Sequence, residues 1–223
     1  MSSLRTIIKK ITHPFLKKGV EYYYKKPRPY SYNGITTIVH PDVFPPHLTL
    51  STKILLDFIS EIELTQKTFL ELGCGSGIIS LYASQKGAKV TASDINKIAL
   101  EYLNKASEKN ELPVNCVYSN LFENIPEQPF DYMIINPPYY PKSPESVKQQ
   151  AWFCGEGFEY FESLFKQLSA YLSEENTTYM ILSEDCELEK IKSIALKNKV
   201  IMELIFETKK MAEKNFIFSI YQK

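Results

Sequence analysis

The stretch Thr68-Phe69-Leu70-Glu71-Leu72-Gly73-Cys74-Gly75-Ser76-Gly77 decides the fold of this chain. An apolar strand runs here into a turn with three alternating glycines, and the apolar residues that follow continue as a helix. Glycine lets the backbone adopt positive φ values and approach a ligand closely. Any tight turn from a strand to a helix can need a glycine, so this turn indicates a ligand site only together with other features.

The spacing and the charge of this turn disfavour a dinucleotide. The pattern is G-x-G-x-G rather than the G-x-G-x-x-G of NAD-dependent dehydrogenases, because Ile78 stands three positions after Gly75. A carboxylate at Glu71 repels a pyrophosphate but suits a cationic amino-acid cofactor. A dehydrogenase and a catalytically silent binding module are the less favoured alternatives. We predict that the residues in contact with such a cofactor include Glu71, Gly73, Cys74, Gly75 and Gly77.

The next strand also ends in a residue suited to a cofactor. Residues 89–94 form this strand, and Asp94 stands at its carboxyl end. In an open α/β sheet, a carboxylate there accepts both hydroxyls of a ribose. The alternative is that Asp94 caps the helix predicted over residues 96–109. The spacing from the glycine turn favours the ribose, and we predict that Asp94 and the adjacent Ile95 contact the cofactor.

A third strand, residues 114–118, ends shortly before Asn120 and Leu121. The amide of Asn120 can hydrogen-bond the edge of an adenine, and Leu121 can pack against the ring. Alternatively, Asn120 merely opens a turn. We include both residues among the predicted cofactor contacts.

The fourth strand, residues 130–135, ends in Asn136-Pro137-Pro138-Tyr139, which we predict to be the catalytic residues. The two prolines prevent further strand pairing and stiffen the exit. The side-chain oxygen of Asn136 and the carbonyl of Pro137 offer two fixed acceptors for an –NH2 group, on which Tyr139 can stack. The alternative is a proline-rich turn without a ligand. Four suitable strand ends in succession favour a ligand site over such a turn. We predict that Asn136 also contacts the cofactor in this site.

Composition limits the class of protein. The chain has 223 residues, of which 44% are hydrophobic, so a single domain with a sizeable core is expected. No apolar run approaches the roughly 18 residues of a membrane span, and the N-terminus lacks the apolar core of a secretion signal. The four cysteines form no C-x-x-C pair and the three histidines are scattered, so we predict no metal and reduced thiols in the cytoplasm.

The N-terminal segment is basic although the formal net charge is zero. Residues 1–30 hold eight lysines and arginines and one glutamate, together with tyrosines that can stack on bases. Such an arm can bind nucleic acid or an acidic partner. The favoured alternative is an amphipathic helix packed on the core, because Leu4, Ile7, Ile8 and Ile11 recur at helical spacing.

Strands and helices alternate along most of the chain, and this alternation predicts a mostly parallel, doubly wound sheet. Asn33-Gly34 predicts a tight hairpin before it. The seven predicted strands of the sheet are 67–72, 88–93, 114–118, 130–135, 177–183, 199–207 and an antiparallel last strand over 215–221. Predicted helices lie near 55–62 and at 77–86, 96–109, 156–172 and 187–197. We predict a helical and hairpin extension over 1–50 and the catalytic domain over 51–223.

Together, Glu71-x-Gly73-x-Gly75-x-Gly77, Asp94, Asn120 and Asn136-Pro137-Pro138-Tyr139 resemble the class I, Rossmann-like methyltransferases that use S-adenosylmethionine to methylate nitrogen. The closer resemblance is to the protein-glutamine N5-methyltransferases of peptide release factors. It covers roughly residues 30 to 223. Three more stretches carry it, namely Tyr30 to Pro46, Thr52 to Asp57 and the Gly-rich element Ala151 to Tyr160.

The chain departs from that family at three points. Asn120 stands where Asp is usual and resembles the ribosomal-RNA guanine-N2 methyltransferases, and Cys154 stands where a glycine is usual. About 30 residues precede the hairpin, too few for the helical release-factor recognition domain of the bacterial enzymes. The resemblance implies S-adenosylmethionine as cofactor and a glutamine side chain of a protein, such as a release factor, as acceptor. The alternative acceptor is the N6 of adenine or the N2 of guanine in a nucleic acid, and a membrane partner is not expected.

Overall fold

The computed structural model describes residues 25–47, 49–210 and 213–223. The amphipathic helix predicted near the N-terminus lies outside the described residues. The strands are β1 Arg28–Tyr32, β2 Ile35–Val39, β3 Thr68–Leu72, β4 Lys89–Asp94, β5 Val114–Tyr118, β6 Tyr132–Ile135, β7 Thr177–Ser183, β8 Val200–Lys210 and β9 Glu213–Gln222. The helices are α1 Leu50–Ser60, α2 Ile78–Gln85, α3 Lys97–Asn110, α4 Val147–Gln150, α5 Glu159–Leu168 and α6 Leu188–Lys197.

Seven strands form one sheet in the order β5-β4-β3-β6-β7-β9-β8. The strands from β5 to β7 pair in parallel, and β9 runs antiparallel between β7 and β8. The mostly parallel sheet with an antiparallel last strand is therefore confirmed. The chain moves outward from β3 to β5 and then returns to place β6 on the other side of β3. Ligands bind at such a reversal, outside the carboxyl ends of the strands.

Both faces of the sheet are buried, because alternate residues of each strand point to opposite sides. Leu70 and Met133 lie in a core cluster with α5 and α6, whereas Phe69 and Ile134 lie in a second cluster with α1, α2 and α3. This two-sided burial explains why the central strands are apolar along their whole length.

The N-terminal hairpin turns at Asn33 and Gly34, whose φ angles of 47° and 82° are both positive, as a two-residue hairpin loop requires. The carboxamide of Asn110, at the end of α3, continues the pairing on the other side of β2. Its Oδ1 accepts from the N–H of Thr36 at 3.0 Å, and its Nδ2 donates to the carbonyl of Thr36 at 2.9 Å. The side chain thus replaces a neighbouring strand and attaches the hairpin to the sheet domain.

Two details were not predicted. The helix α4 is short and lies in a segment without helical periodicity. Helix α5 begins at Glu159 rather than near 156, because Gly155 and Phe158 hold φ angles of 89° and 65°. No helix lies between β5 and β6, all of whose connecting residues are described, and none of the predicted helices falls there. In the described ranges no helix is both long and apolar enough to cross a membrane. The division at residue 50 stays a prediction.

Replacing Asn110 tests the attachment of the hairpin. We expect Asn110→Ala to lower the free energy of unfolding by about 1–2 kcal/mol, because both backbone groups of Thr36 lose their partner. Urea denaturation measures this change. The control is Asn104→Ala, at an exposed position of the same helix. Equal losses in the two variants would show that the Asn110 hydrogen bonds contribute nothing.

Candidate active site

A cavity of about 490 Å³ opens at the carboxyl ends of the parallel strands. It brings together residues from all four predicted strand ends, and its volume lies in the range of small-molecule sites. The predicted residues that line it are Glu71, Gly73, Cys74, Gly75, Asp94, Ile95, Asn120, Leu121, Asn136, Pro137, Pro138 and Tyr139. Gly77 is not among the lining residues.

The three glycines of the turn have different roles. Gly73 has a φ of +75°, and a Cβ there would meet no atom within 4 Å, so the turn is open on this side. Gly75 donates its N–H to Oδ2 of Asp94 at 2.8 Å. Gly77 has a φ of +69°, and a Cβ there would lie 2.3 Å from Cδ1 of Leu103. Close packing on Leu103 is therefore a sufficient reason for this glycine, and contact of Gly77 with a cofactor stays a prediction.

The carboxyl of Glu71 is buried and connects the end of β3 to the start of α2. It accepts hydrogen bonds from the N–H of Ser80 at 2.9 Å and from the Ser80 hydroxyl. Burial raises the pKa of Glu71 from 4.5 to about 8, although the bonds from Ser80 oppose this change. At neutral pH the carboxyl is therefore mostly protonated. A cation bound beside it would lower this pKa and favour the ionised form.

Asp94 lies at the end of β4, where a ribose was predicted. Its two oxygens each accept one backbone N–H at 2.8 Å, from Gly75 and from Asn96. The N-cap of α3 is Asn96, whose side chain accepts from the N–H of Ile98, so Asp94 does not cap the helix. Burial raises the pKa of Asp94, and the backbone hydrogen bonds oppose this. Each oxygen of the ionised carboxyl has a further lone pair that can accept a hydrogen bond from a hydroxyl group.

Asn120 lines the cavity and also opens a turn, and its contact with an adenine stays a prediction. Its Nδ2 donates to Oε1 of Glu123 at 2.8 Å, and its carbonyl accepts from the N–H of Glu123 at 3.2 Å. Leu121 has a φ of 51° and packs against the core beside the cavity.

At the end of β6, Asn136 is half-buried and Pro137 is buried. The Nδ2 of Asn136 lies 3.3 Å from Oγ of Ser51, to which it donates a hydrogen bond. The ring of Tyr139 packs on the core, with its centroid 4.8 Å from that of Tyr140. Burial is the main reason why the pKa of Tyr139 is raised, so its hydroxyl stays neutral.

Two loops of the cavity wall were missed by sequence reasoning. We name residues 40–47 the proline loop and residues 140–155 the aromatic loop. The two loops contact each other through two pairs of side chains. The ring centroids of Phe44 and Trp152 lie 4.8 Å apart, and Nζ of Lys148 lies 3.1 Å from Oδ1 of Asp42. The resemblance covers parts of both loops, Tyr30 to Pro46 and Ala151 to Tyr160, but it does not indicate which of their side chains come together.

Backbone hydrogen bonds hold the aromatic loop beside the end of β6. The N–H of Tyr140 donates to the carbonyl of Trp152 at 3.1 Å, and the N–H of Cys154 donates to the carbonyl of Tyr140 at 3.0 Å. At the base of this loop, Tyr160 lines the cavity. Burial is the main cause of the raised pKa of Tyr160, and the negative charge of Asp94 is the second cause. The Gly-rich element Ala151 to Tyr160 therefore forms part of the same cavity wall.

The lining fits an extended cofactor with an amino-acid end, a ribose and a purine. The turn at Gly73 has room for close approach, and Asp94 offers acceptors at a strand end. With the strand order and the antiparallel β9, these features define the class: the chain has the fold of a class I, S-adenosylmethionine-dependent methyltransferase. It belongs to the methyltransferase small domain family, whose model matches residues 34–222.

Curated relatives are named for different acceptors. A protein of Methanocaldococcus jannaschii, provisionally named a protein N5-glutamine methyltransferase, is 30% identical over 182 residues, which cover 77% of this chain and 89% of the relative. The ribosomal RNA small subunit methyltransferase C of Actinobacillus pleuropneumoniae is 32% identical over 114 residues, or 50% of this chain, and the match spans 34% of that relative.

Solved structures agree with the fold. The Encephalitozoon cuniculi Mtq2-Trm112 complex, described as methylating the eRF1 translation termination factor, superposes with a TM-score of 0.62 at 20% identity, covering 82% of this chain and 99% of the other. The Thermus thermophilus 16S rRNA N2 G1207 methyltransferase, solved with S-adenosylmethionine and guanosine, gives 0.62 at 17% identity, covering 86% of this chain and 50% of the other. The enzyme class and the cofactor follow from the family, and these neighbours show the fold.

Replacing Glu71 tests its unusual protonation. A carboxyl whose pKa rises on folding binds more protons in the folded chain, so its contribution to stability is lost as pH rises from 4.5 to about 8. Between pH 6 and pH 9 this loss is on the order of 2 kcal/mol. We expect Glu71→Gln, which cannot titrate, to remove that part of the pH dependence in urea denaturation. The control is Glu108→Gln, at an exposed position; the same pH dependence in both variants would contradict the raised pKa.

Proposed function

We propose that the enzyme methylates the side-chain amide of a glutamine in a protein, such as a translation termination factor. The observation that carries this proposal is the Asn136 carboxamide, which lines the cavity at the end of β6. Because its Nδ2 donates to Ser51, its Oδ1 is the atom left to accept a hydrogen bond from a substrate. The relative from M. jannaschii, of which 89% is covered, supports this acceptor.

An amide nitrogen is a weak nucleophile, because its lone pair is delocalised into the carbonyl. Acceptance of its two N–H bonds by Oδ1 of Asn136 and the carbonyl of Pro137 would orient the nitrogen and stabilise the positive charge that develops on it. The buried Pro137 keeps this second acceptor in place. The nitrogen gains a methyl group and releases one proton, which we propose leaves to water.

The cofactor would be held by the open turn at Gly73 and by Asp94. S-adenosylmethionine supplies a methyl group that is already activated as an electrophile, so the protein chiefly has to align the acceptor with it. The rings of Tyr139, Phe44 and Trp152 would exclude water from the acceptor and present flat surfaces to an amide.

The alternative acceptor is the exocyclic amine of a nucleobase, which presents the same –NH2 group. Asn120 and the ribosomal RNA relatives favour it. The extent of the matches disfavours it, since the M. jannaschii relative covers 77% of this chain and the ribosomal RNA relative covers 50%.

Replacing Asn136 tests the acceptor contact. We expect Asn136→Ala to lower turnover by on the order of 100-fold, the scale for loss of one transition-state hydrogen bond. Affinity for S-adenosylhomocysteine, measured by calorimetry, should change little. Asp94→Ala should show the opposite pattern and weaken that affinity. Unchanged turnover in Asn136→Ala would rule out the proposed role of this residue.

The class of acceptor can be tested directly. The enzyme is incubated with a cell extract and S-adenosylmethionine labelled in its methyl group, and Asn136→Ala serves as the blank. We expect the label in protein, where it resists nuclease, is removed by protease and is recovered as N5-methylglutamine after proteolysis. Label that nuclease releases would instead identify a nucleobase as the acceptor.

A further inference from the structure

Ser51 lies in the first turn of α1, 85 residues before Asn136 in the chain, and approaches it at the edge of the cavity. Its hydroxyl oxygen accepts the hydrogen bond from Nδ2 of Asn136 at 3.3 Å. The next residue, Thr52, is buried and lines the cavity, so this end of the helix is part of the site wall. Sequence reasoning assigned no role to Ser51.

A carboxamide has two faces of opposite character, because one end accepts hydrogen bonds and the other donates two. If the Asn136 side chain turned by 180°, its –NH2 group would face the –NH2 group of the substrate. Two donors cannot bond each other, and the amide nitrogen would lose its acceptor. The orientation that suits the substrate therefore leaves the –NH2 group of Asn136 in need of an acceptor of its own, which a hydroxyl oxygen can supply.

We propose that Ser51 is a positioning residue, whose hydroxyl oxygen accepts from Nδ2 of Asn136 and holds the carboxamide with Oδ1 available to the acceptor nitrogen. This inference rests on the proposed function, because the orientation has a consequence only if Asn136 receives N–H bonds. Ser51 is well suited to the task because α1 is firmly anchored. Ile54, Leu55, Leu56 and Ile59 of this helix are all buried in the core.

The variants Ser51→Ala, Ser51→Thr and Asn136→Ala separate the possible roles. Ser51→Ala should lower kcat about 3- to 10-fold, the effect of one neutral hydrogen bond, with the affinity for S-adenosylhomocysteine and the melting temperature unchanged. Ser51→Thr keeps a hydroxyl at this position, so its kcat should lie within about twofold of the wild-type value. The matched control is Ser60→Ala on the same helix, where the hydroxyl bonds the carbonyl of Asp57.

Turnover is measured with labelled S-adenosylmethionine and a purified translation termination factor, or with the acceptor fraction of the extract if that factor takes no label. A second readout needs no acceptor. In ¹H–¹⁵N spectra the Nδ2 protons of Asn136, assigned from the Asn136→Ala variant, should shift in Ser51→Ala and stay in place in Ser60→Ala.

The outcomes distinguish this inference from the proposed function. If Asn136→Ala keeps full turnover, the proposed function fails. If Asn136→Ala is impaired while Ser51→Ala matches Ser60→Ala, or the Asn136 protons do not shift, the positioning role is overturned. A loss of cofactor affinity or melting temperature in parallel with kcat would also overturn it, since Ser51 would then act on the fold as a whole.

Discussion

The parallel pairing of β3 with β4 on one side and with β6 on the other is the constraint on which the site depends. Because β3 is the first strand of the sheet and β6 returns beside it, the connections that follow these two strands leave in different directions. The crevice between them receives the glycine turn from one strand and Asn136 from the other. The proposed cofactor side and the proposed acceptor side of the cavity are therefore adjacent as a result of topology.

Strands and strand ends could be predicted because their signals are local. Apolar runs bounded by glycine or proline mark the strands, and the polar residues that follow each run fall at one edge of a parallel sheet. Contacts between distant segments could not be predicted in this way. Ser51 meets Asn136 and Phe44 meets Trp152 through packing of the whole domain. The spacing of glycines likewise did not reveal that Gly77 packs on Leu103.

Charge in this site is controlled by burial more than by pairing. The carboxyls of Glu71 and Asp94 both lie at strand ends, and burial raises the pKa of each. Backbone and hydroxyl donors offset part of that effect, and these donors belong to the glycine turn, the start of α2 and the N-cap of α3. Ionisation of the two carboxyls and the shape of the turn are thus coupled, so a ligand with a positive charge would stabilise both together.

The contact between the proline loop and the aromatic loop consists of a ring pair and a solvent-exposed ion pair. Such interactions contribute about 1–2 kcal/mol together, far less than the buried floor of the cavity. Either interaction can therefore be changed by substitution without disturbing the sheet. The wall of the cavity can vary in sequence independently of its floor.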